Sequence, residues 1–270
     1  MQLGLKAGTD IVQIRDRLRY HPDVFEFFLT ENDFSENGWY HLREMTKLVH
    51  KSVDHIIFHQ PVTWHGWRTG LSVNERVHPD LYRFVIESSM RLIAYAQEVG
   101  ALALIHGTYD SFNYNYIKDW NSLMVSRTVC LGRMCQISQM GGNNVVFENG
   151  IDQIFAYGDP SFENLLLKLK LPLAYDISHT FIMVNGNNDK LMASLNHLAS
   201  LIKHYHIVDS MGGKVHDSLT VGHGKIDWER VVPRMNDTAS SIFEINLQNQ
   251  SHCKEMLESY RYLQQVEMRL

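Results

Sequence analysis

Cysteine is scarce in this chain, long apolar runs and excess basic charge are missing, and each shortage excludes something. Cysteine occurs three times in 270 residues, at Cys130, Cys135 and Cys253, without a CxxC pair. An odd, unpaired set excludes a disulfide framework and predicts free thiols in a reducing compartment. No stretch approaches the roughly 18 consecutive apolar residues of a membrane span. Lys and Arg number 25 against 30 Asp and Glu, a net charge of −5, so the basic footprint of a nucleic-acid-binding protein is absent. The opening Met1-Gln2-Leu3-Gly4-Leu5-Lys6 lacks the layout of a secretion signal, and the expected location is cytoplasmic. Apolar residues make up 44% of the chain, too many for a disordered protein. What is abundant is histidine, with 15 residues. Imidazole is the commonest metal ligand and titrates near neutrality, so the positions of these histidines matter.

Eight short apolar runs punctuate the sequence, at 3–6, 24–30, 55–60, 101–106, 144–148, 171–177, 204–208 and 240–246. Stretches with helical spacing separate nearly all of them, at 39–52, 79–99, 119–140, 162–169, 190–202, 228–234 and 251–266, with 9–20 as a short, charged first helix. The runs are not polar at alternate positions, as expected of parallel strands buried on both faces. Eight such units in this length predict an α/β fold, a (β/α)8 TIM barrel occupying residues 1–270 as a single domain. No linker, repeat or low-complexity tract interrupts it.

Active sites of such barrels lie at the C-terminal strand ends. Here the third and fourth runs end at His59 and His106, and the fifth and sixth at Glu148 and Asp176, with His179 three residues later. The seventh carries His206, with Asp209 three later, and the eighth carries Glu244. Side chains alternate along a strand. If these polar residues face the barrel axis, so do Leu102, Leu104, Val146, Ala174 and Ile242. One strand-end histidine or carboxylate is ordinarily a hydrogen-bonded or solvated residue. Six in succession converging on one mouth need a compensating cation. Mixed carboxylate and imidazole donors suit Zn²⁺ or Mn²⁺, with Fe²⁺ or Co²⁺ as alternatives, better than Ca²⁺ or Mg²⁺. His204, deeper on the seventh strand, is expected to be a hydrogen-bonded core residue.

The series Phe58-His59-Gln60-Pro61, Ile105-His106-Gly107, Phe147-Glu148-Asn149, Asp176-Ile177-Ser178-His179, His206-Ile207-Val208-Asp209-Ser210, Gly222-His223-Gly224-Lys225-Ile226-Asp227-Trp228 and Phe243-Glu244 resembles the xylose-isomerase-like TIM-barrel superfamily. That group includes sugar and sugar-phosphate isomerases and epimerases, and endonuclease IV. The resemblance implies a metal tetrad of Glu148, Asp176, His206 and Glu244. It also implies that Glu148 and Glu244 act as the catalytic proton carriers around a metal-stabilised enediolate, with His179 contacting substrate oxygens. The endonuclease IV branch implies a second metal on His59 and His106, bridged by Glu148. Two departures stand out. His216 and Ser218 occupy the Asp and His places of that branch's third metal site, which is incomplete unless the loop brings in His216 or Asp217. Gly212 occupies the place of an epimerase arginine, for which Lys214 is a point-charge substitute.

The loops after the third and fourth strands, 62–68 and 108–116, mix aromatic and polar residues. Trp64 and Arg68 suit a sugar face and a phosphate, and equally suit a packed lid or a contact between copies. The segment Gly222-His223-Gly224 has backbone N–H groups suited to a phosphate. The expected substrate contacts are His179, Trp64, Arg68, Lys214 and His216. Taken together, these features predict a metal-dependent sugar or sugar-phosphate isomerase or epimerase. An endonuclease IV-like zinc phosphodiesterase is the alternative, and a sugar-sensing barrel without activity the third option. The expected partner is a small sugar rather than nucleic acid or membrane, and homo-oligomerisation is left open.

Overall fold

The apolar runs become eight strands in the computed structural model, which describes residues 1–109 and 114–270. They are β1 (Gly4–Ala7), β2 (Val24–Phe28), β3 (His55–His59), β4 (Leu102–His106), β5 (Val145–Glu148), β6 (Leu173–Asp176), β7 (Ile202–Ile207) and β8 (Ser240–Phe243). Each pairs in parallel with the next, in chain order. The sheet curls until β8 meets β1. A Cβ on Gly4 would stand 1.8 Å from the Ser241 carbonyl oxygen, so a glycine is required where the two strands approach. The architecture is the expected (β/α)8 barrel.

The side-chain alternation holds. Val24, Ile57, Leu104, Val146, Ala174 and Ile242 form a separate buried apolar cluster along the axis, with Leu102 packed against it. The other face of the strands packs on helices. The longest, Pro79–Val99, buries Leu81, Val85, Leu92 and Ala96. Pro79 pre-sets its first turn, and Gly100 ends it in the left-handed region at φ 71°. The short helix of the first unit, Ile11–Leu18, starts where the Asp10 side chain accepts the Val12 and Gln13 N–H groups.

Three expectations need correction. The helix expected over 119–140 is two pieces: a turn at Ile117–Trp120, then a helix at Leu123–Gly141. Asn121 breaks it at φ 54°, and Ser122 caps the second piece. The sixth strand was expected to run to Ile177 but stops at Asp176. The Asp176 carboxylate accepts the His179 N–H at 2.7 Å and thereby starts an unforeseen helix, Ile177–Met183. The eighth strand ends at Phe243 rather than Asn246, leaving Glu244 just beyond it, held to β7 by its N–H on the Ile207 carbonyl at 3.2 Å. The 62–68 loop contains a small antiparallel hairpin, Thr63–Trp64 with Trp67–Arg68. His65 and Gly66, at φ 46° and 80°, give its two-residue turn the twist such hairpins favour.

All three cysteines are unpaired, and burial pushes the Cys130 and Cys253 thiols up to about 12, as befits structural rather than reactive groups. Among the described residues, no helix is long and apolar enough to cross a membrane.

Candidate metal centre

Strand register brings the ligand candidates to one level. His106 lies opposite Glu148, and Asp176 opposite His206. The amide residue after a strand end then ties that end to the next strand. Gln60 accepts the His106 N–H through Oε1 at 3.1 Å and donates to Ser89 at 2.9 Å. Asn149 accepts the Asp176 N–H at 2.8 Å and donates to the Asp176 carbonyl at 3.2 Å. These amides are the residues that follow His59 and Glu148 in sequence, and they explain why the strand ends hold their places.

Glu148, Asp176, His206 and Glu244 each present a donor atom within 4.8 Å of the others, as do His59, His106 and Glu148. His206 Nδ1 lies 3.1 Å from Glu148 Oε1 and 2.5 Å from Glu244 Oε2, with Asp176 Oδ2 at 3.9 Å. His59 Nε2 and His106 Nε2 are 3.3 Å apart and lie 3.4 and 3.1 Å from Glu148 Oε2. His179 Nε2 faces His216 Nε2 at 3.1 Å, so the loop does bring His216 to the mouth. Two imidazole nitrogens at this separation match the spacing of two ligands on one zinc, roughly 3.4 Å for bonds of about 2.1 Å.

The donors fit a cation. Asp176 Oδ1 accepts from Ser178 and from the His179 N–H, while Oδ2 is buried without a hydrogen-bond partner. An orphaned buried carboxylate oxygen beside three other donors is costly unless a cation meets it. The histidines are oriented as ligands are: His59 Nδ1–H donates to the Gln60 carbonyl at 2.8 Å and His179 Nδ1–H to the Asn149 carbonyl at 2.7 Å, which turns each Nε2 lone pair inward. His206 does the converse, with Nε2–H on Glu26 Oε2 at 3.0 Å and Nδ1 facing the tetrad.

Electrostatics divide the cluster. Burial pushes His106 down to about 3, so its ring is neutral and its lone pair available. Burial works against charge on His206 too, but Glu148, Glu244 and Glu26 outweigh it and raise that ring well above the usual histidine range. For Glu148, His206 and His106 overcome burial and keep the carboxyl well below its usual value. For Glu244, Lys6 and His206 do the same.

Two members of this site were missed: Lys6 on β1 and Glu26 on β2. Each is a lone charge in an apolar strand, Leu3-Gly4-Leu5-Lys6-Ala7 and Val24-Phe25-Glu26-Phe27-Phe28. The alternation used for the other strands would have placed Glu26 on the axis with Val24. His204 is the buried, hydrogen-bonded residue expected, with Nδ1 2.7 Å from Ser240 Oγ and Nε2 3.2 Å from Glu26.

A mouth cavity of about 440 Å³ opens beside Glu244, lined by Lys6, Phe28, Tyr109, His216 and Ser218 among others. Arg68 reaches this region through Tyr109, its guanidinium 4.6 Å from the ring centroid. Trp64 and Lys214 lie elsewhere. Trp64 stacks on Phe84 at 5.4 Å and lines a different cavity with Glu31 and Phe34. Lys214 lines a third, with Asp152 and Asn185. Of the 108–116 loop, Asp110, Ser111, Phe112 and Asn113 lie outside the described residues. The Gly222-His223-Gly224 segment is not arranged for a phosphate. The Gly222 N–H donates to Asp209 Oδ2 at 2.8 Å, and a Cβ on Gly224 would stand 2.2 Å from Asp209 Oδ1. Asp209 also accepts the Trp228 indole N–H at 3.0 Å, so these glycines let the loop wrap a buried carboxylate.

No protein-family model matches the chain, nor does any curated protein. Solved structures share its fold. The 3-keto-D-glucoside 4-epimerase YcjR from E. coli is 16% identical at a TM-score of 0.67, covering 98% of this chain and 99% of its own. The TTHB071 protein from Thermus thermophilus, soaked with ZnCl2, is 14% identical at 0.68, covering 100% of this chain and 99% of its own. The D-psicose 3-epimerase from Clostridium cellulolyticum is 14% identical at 0.61, covering 100% and 98%. The barrel of this chain thus shares its fold, from end to end, with these three structures.

Proposed function

We propose that this chain is a divalent-metal-dependent sugar or sugar-phosphate isomerase or epimerase, with Glu148 and Glu244 as its proton carriers. One observation carries the reading. Two ionised carboxylates from well-separated strands, β5 and the end of β8, meet at one imidazole, 3.1 and 2.5 Å from His206 Nδ1. A small substrate over His206 meets one carboxylate from each side, as removal and return of a proton on opposite faces requires. Zinc or manganese held by Glu148, Asp176, His206 and Glu244 would supply Lewis acidity that acidifies a C–H beside a carbonyl. Glu148 and Glu244 accept and return that proton, a contribution of about 10²–10⁴-fold in rate. His179, its Nδ1–H fixed on Asn149, directs Nε2 to a substrate oxygen, with His216 beside it. Phe28 and Tyr109 supply aromatic walls to the cavity. The cavity has monosaccharide dimensions, and its one lysine, Lys6, is already paired with carboxylates. That composition favours an uncharged or singly charged substrate over a polyanion.

The test is wash-in of solvent deuterium at the carbon next to the carbonyl, followed by NMR over a panel of ketoses and ketose phosphates. The metal-loaded protein is expected to exchange at least one of them, and Glu148→Gln and Glu244→Gln to lose at least about 100-fold of that rate. Absence of exchange from a cation-loaded protein across the panel would overturn the proposal.

The zinc phosphodiesterase reading is kept because His59 and His106 converge on Glu148, and His179 meets His216. Two or three zinc equivalents per chain together with cleavage of a phosphodiester would establish it in place of the first.

A further inference from the structure

Beneath the tetrad lies an ion pair to which the chemistry above gives no role. Lys6 Nζ stands 3.4 Å from Glu26 Oε1, is bonded to Glu244 Oε1, and lies 4.7 Å from the centroid of the Phe28 ring. The two side chains are 10% and 0% exposed. Buried charges of this kind are retained only when they compensate one another and their other hydrogen bonds are made. Glu26 Oε2 accepts from both His206 and His204, while Oε1 has the Lys6 ammonium at 3.4 Å and no hydrogen bond of its own. Lys6 meets that condition by dividing the Glu244 carboxylate: Oε1 is taken by the ammonium, and Oε2 faces His206 Nδ1.

We propose that the Lys6–Glu26 pair is a positioning device for the metal centre, a role that rests on the tetrad being a cation site. Lys6 fixes Glu244 so that one oxygen alone faces the centre, and Glu26 fixes the His206 ring so that Nδ1 does. Supporting groups of this type are typically worth 10–100-fold in metal affinity.

The sign of the effect separates positioning from simple charge. A lysine that mattered only as a positive charge would repel a divalent cation, and its removal would tighten binding. A lysine that positions Glu244 stabilises the bound form, and its removal weakens binding. Mn²⁺ titration of the intact protein by calorimetry, with a thermal melt to show that each variant is folded, reads this directly. Lys6→Met is expected to bind Mn²⁺ about 10–100-fold more weakly than the parent. Lys6→Arg keeps the charge but changes its reach and hydrogen-bond geometry, and is expected to weaken binding as well. Equal or tighter binding by Lys6→Met overturns the proposal. Should Lys6→Met fail to fold, an unchanged affinity in Lys6→Arg overturns it instead. A parent protein that takes up no Mn²⁺ or Zn²⁺ overturns the tetrad reading itself, and this role with it. Binding by the parent that Lys6→Met and Lys6→Arg leave intact removes the positioning role alone.

Discussion

The candidate metal centre has two corners that share Glu148, and they are supported differently. In the histidine corner, the His59 ring is held by the Gln60 carbonyl and the His106 backbone N–H by the Gln60 side chain, with no counter-ion behind either ring among the described residues. The carboxylate corner, Asp176, His206 and Glu244, is backed by Lys6 and Glu26. Neutral donors need only to be aimed. Ionised donors must also be compensated, or burial neutralises them. The contrast teaches where this barrel spends its buried charge: beneath the tetrad, the corner that holds Glu244 and meets Glu148.

The largest effect should come from removing what the corners share. Glu148→Gln is expected to lower turnover by about 10²–10⁴-fold while the fold survives. Unchanged kcat in a folded Glu148→Gln protein would contradict the assignment of that carboxylate. Next, the corners can be set against each other. Asp176→Asn keeps an acceptor for the His179 N–H but removes a charged ligand, and should weaken cation binding by at least about tenfold. The double variant His59→Ala/His106→Ala should leave the tetrad cation in place. Equal losses in the two proteins would erase the distinction between the corners.

The apolar layer below both corners gives a third comparison, of stability against function. Ile242→Ala, in the axial cluster, should cost about 2–5 kcal/mol in chemical denaturation. The smallest effect lies far from the site. Asp16 is buried against the start of the last helix, Lys254–Glu267, and accepts the Cys253 N–H at 2.9 Å. Burial opposes its ionisation, but the hydrogen bonds from Cys253 and His252 and the nearby Arg19 outweigh burial and hold its pKa below the usual value. A carboxyl depressed in the folded state stabilises above its unfolded pKa, near 3.9, and loses that contribution as pH falls through the lower folded value. Asp16→Asn should therefore cost about 1 kcal/mol at pH 7, with the gap to the parent closing below about pH 4. A gap independent of pH would show that packing, and not charge, is what Asp16 contributes.

The barrel and most of the centre were legible in the sequence because both follow from alternation. Leu104, Val146, Ala174 and Ile242 sit in the axial layer where the strand-end polar residues two positions on implied they would. Strands β3 to β6 announce themselves by ending in a polar residue, and β7 and β8 carry one within a residue of the end. Lys6 and Glu26 face each other across β1 and β2, but their link to the centre, through Glu244 and His206, forms only when the barrel closes. The partners of Lys6 and Glu26 are 238 and 180 residues away, at Glu244 and His206. Element ends were misplaced for a related reason: side chains cut them short. Asp176 stops β6 by capping a helix, and Asn121 breaks a helix by adopting positive φ. The loop contacts were least legible. Trp64 and Lys214 follow strands that enter the centre, yet their hairpin and loop carry them to other cavities. The role of Gly222 and Gly224 depends on Asp209, more than ten residues upstream, whose carboxylate the loop encloses.

The most direct test of the tetrad is elemental mass spectrometry on untagged protein prepared without chelator, comparing the parent, Asp176→Asn and His59→Ala/His106→Ala. The expected result is one equivalent of zinc, manganese, iron or cobalt in the parent, lost from Asp176→Asn and retained by the double histidine variant. A parent that holds no cation after reconstitution, or a cation retained by Asp176→Asn and lost from the histidine variant, would contradict it.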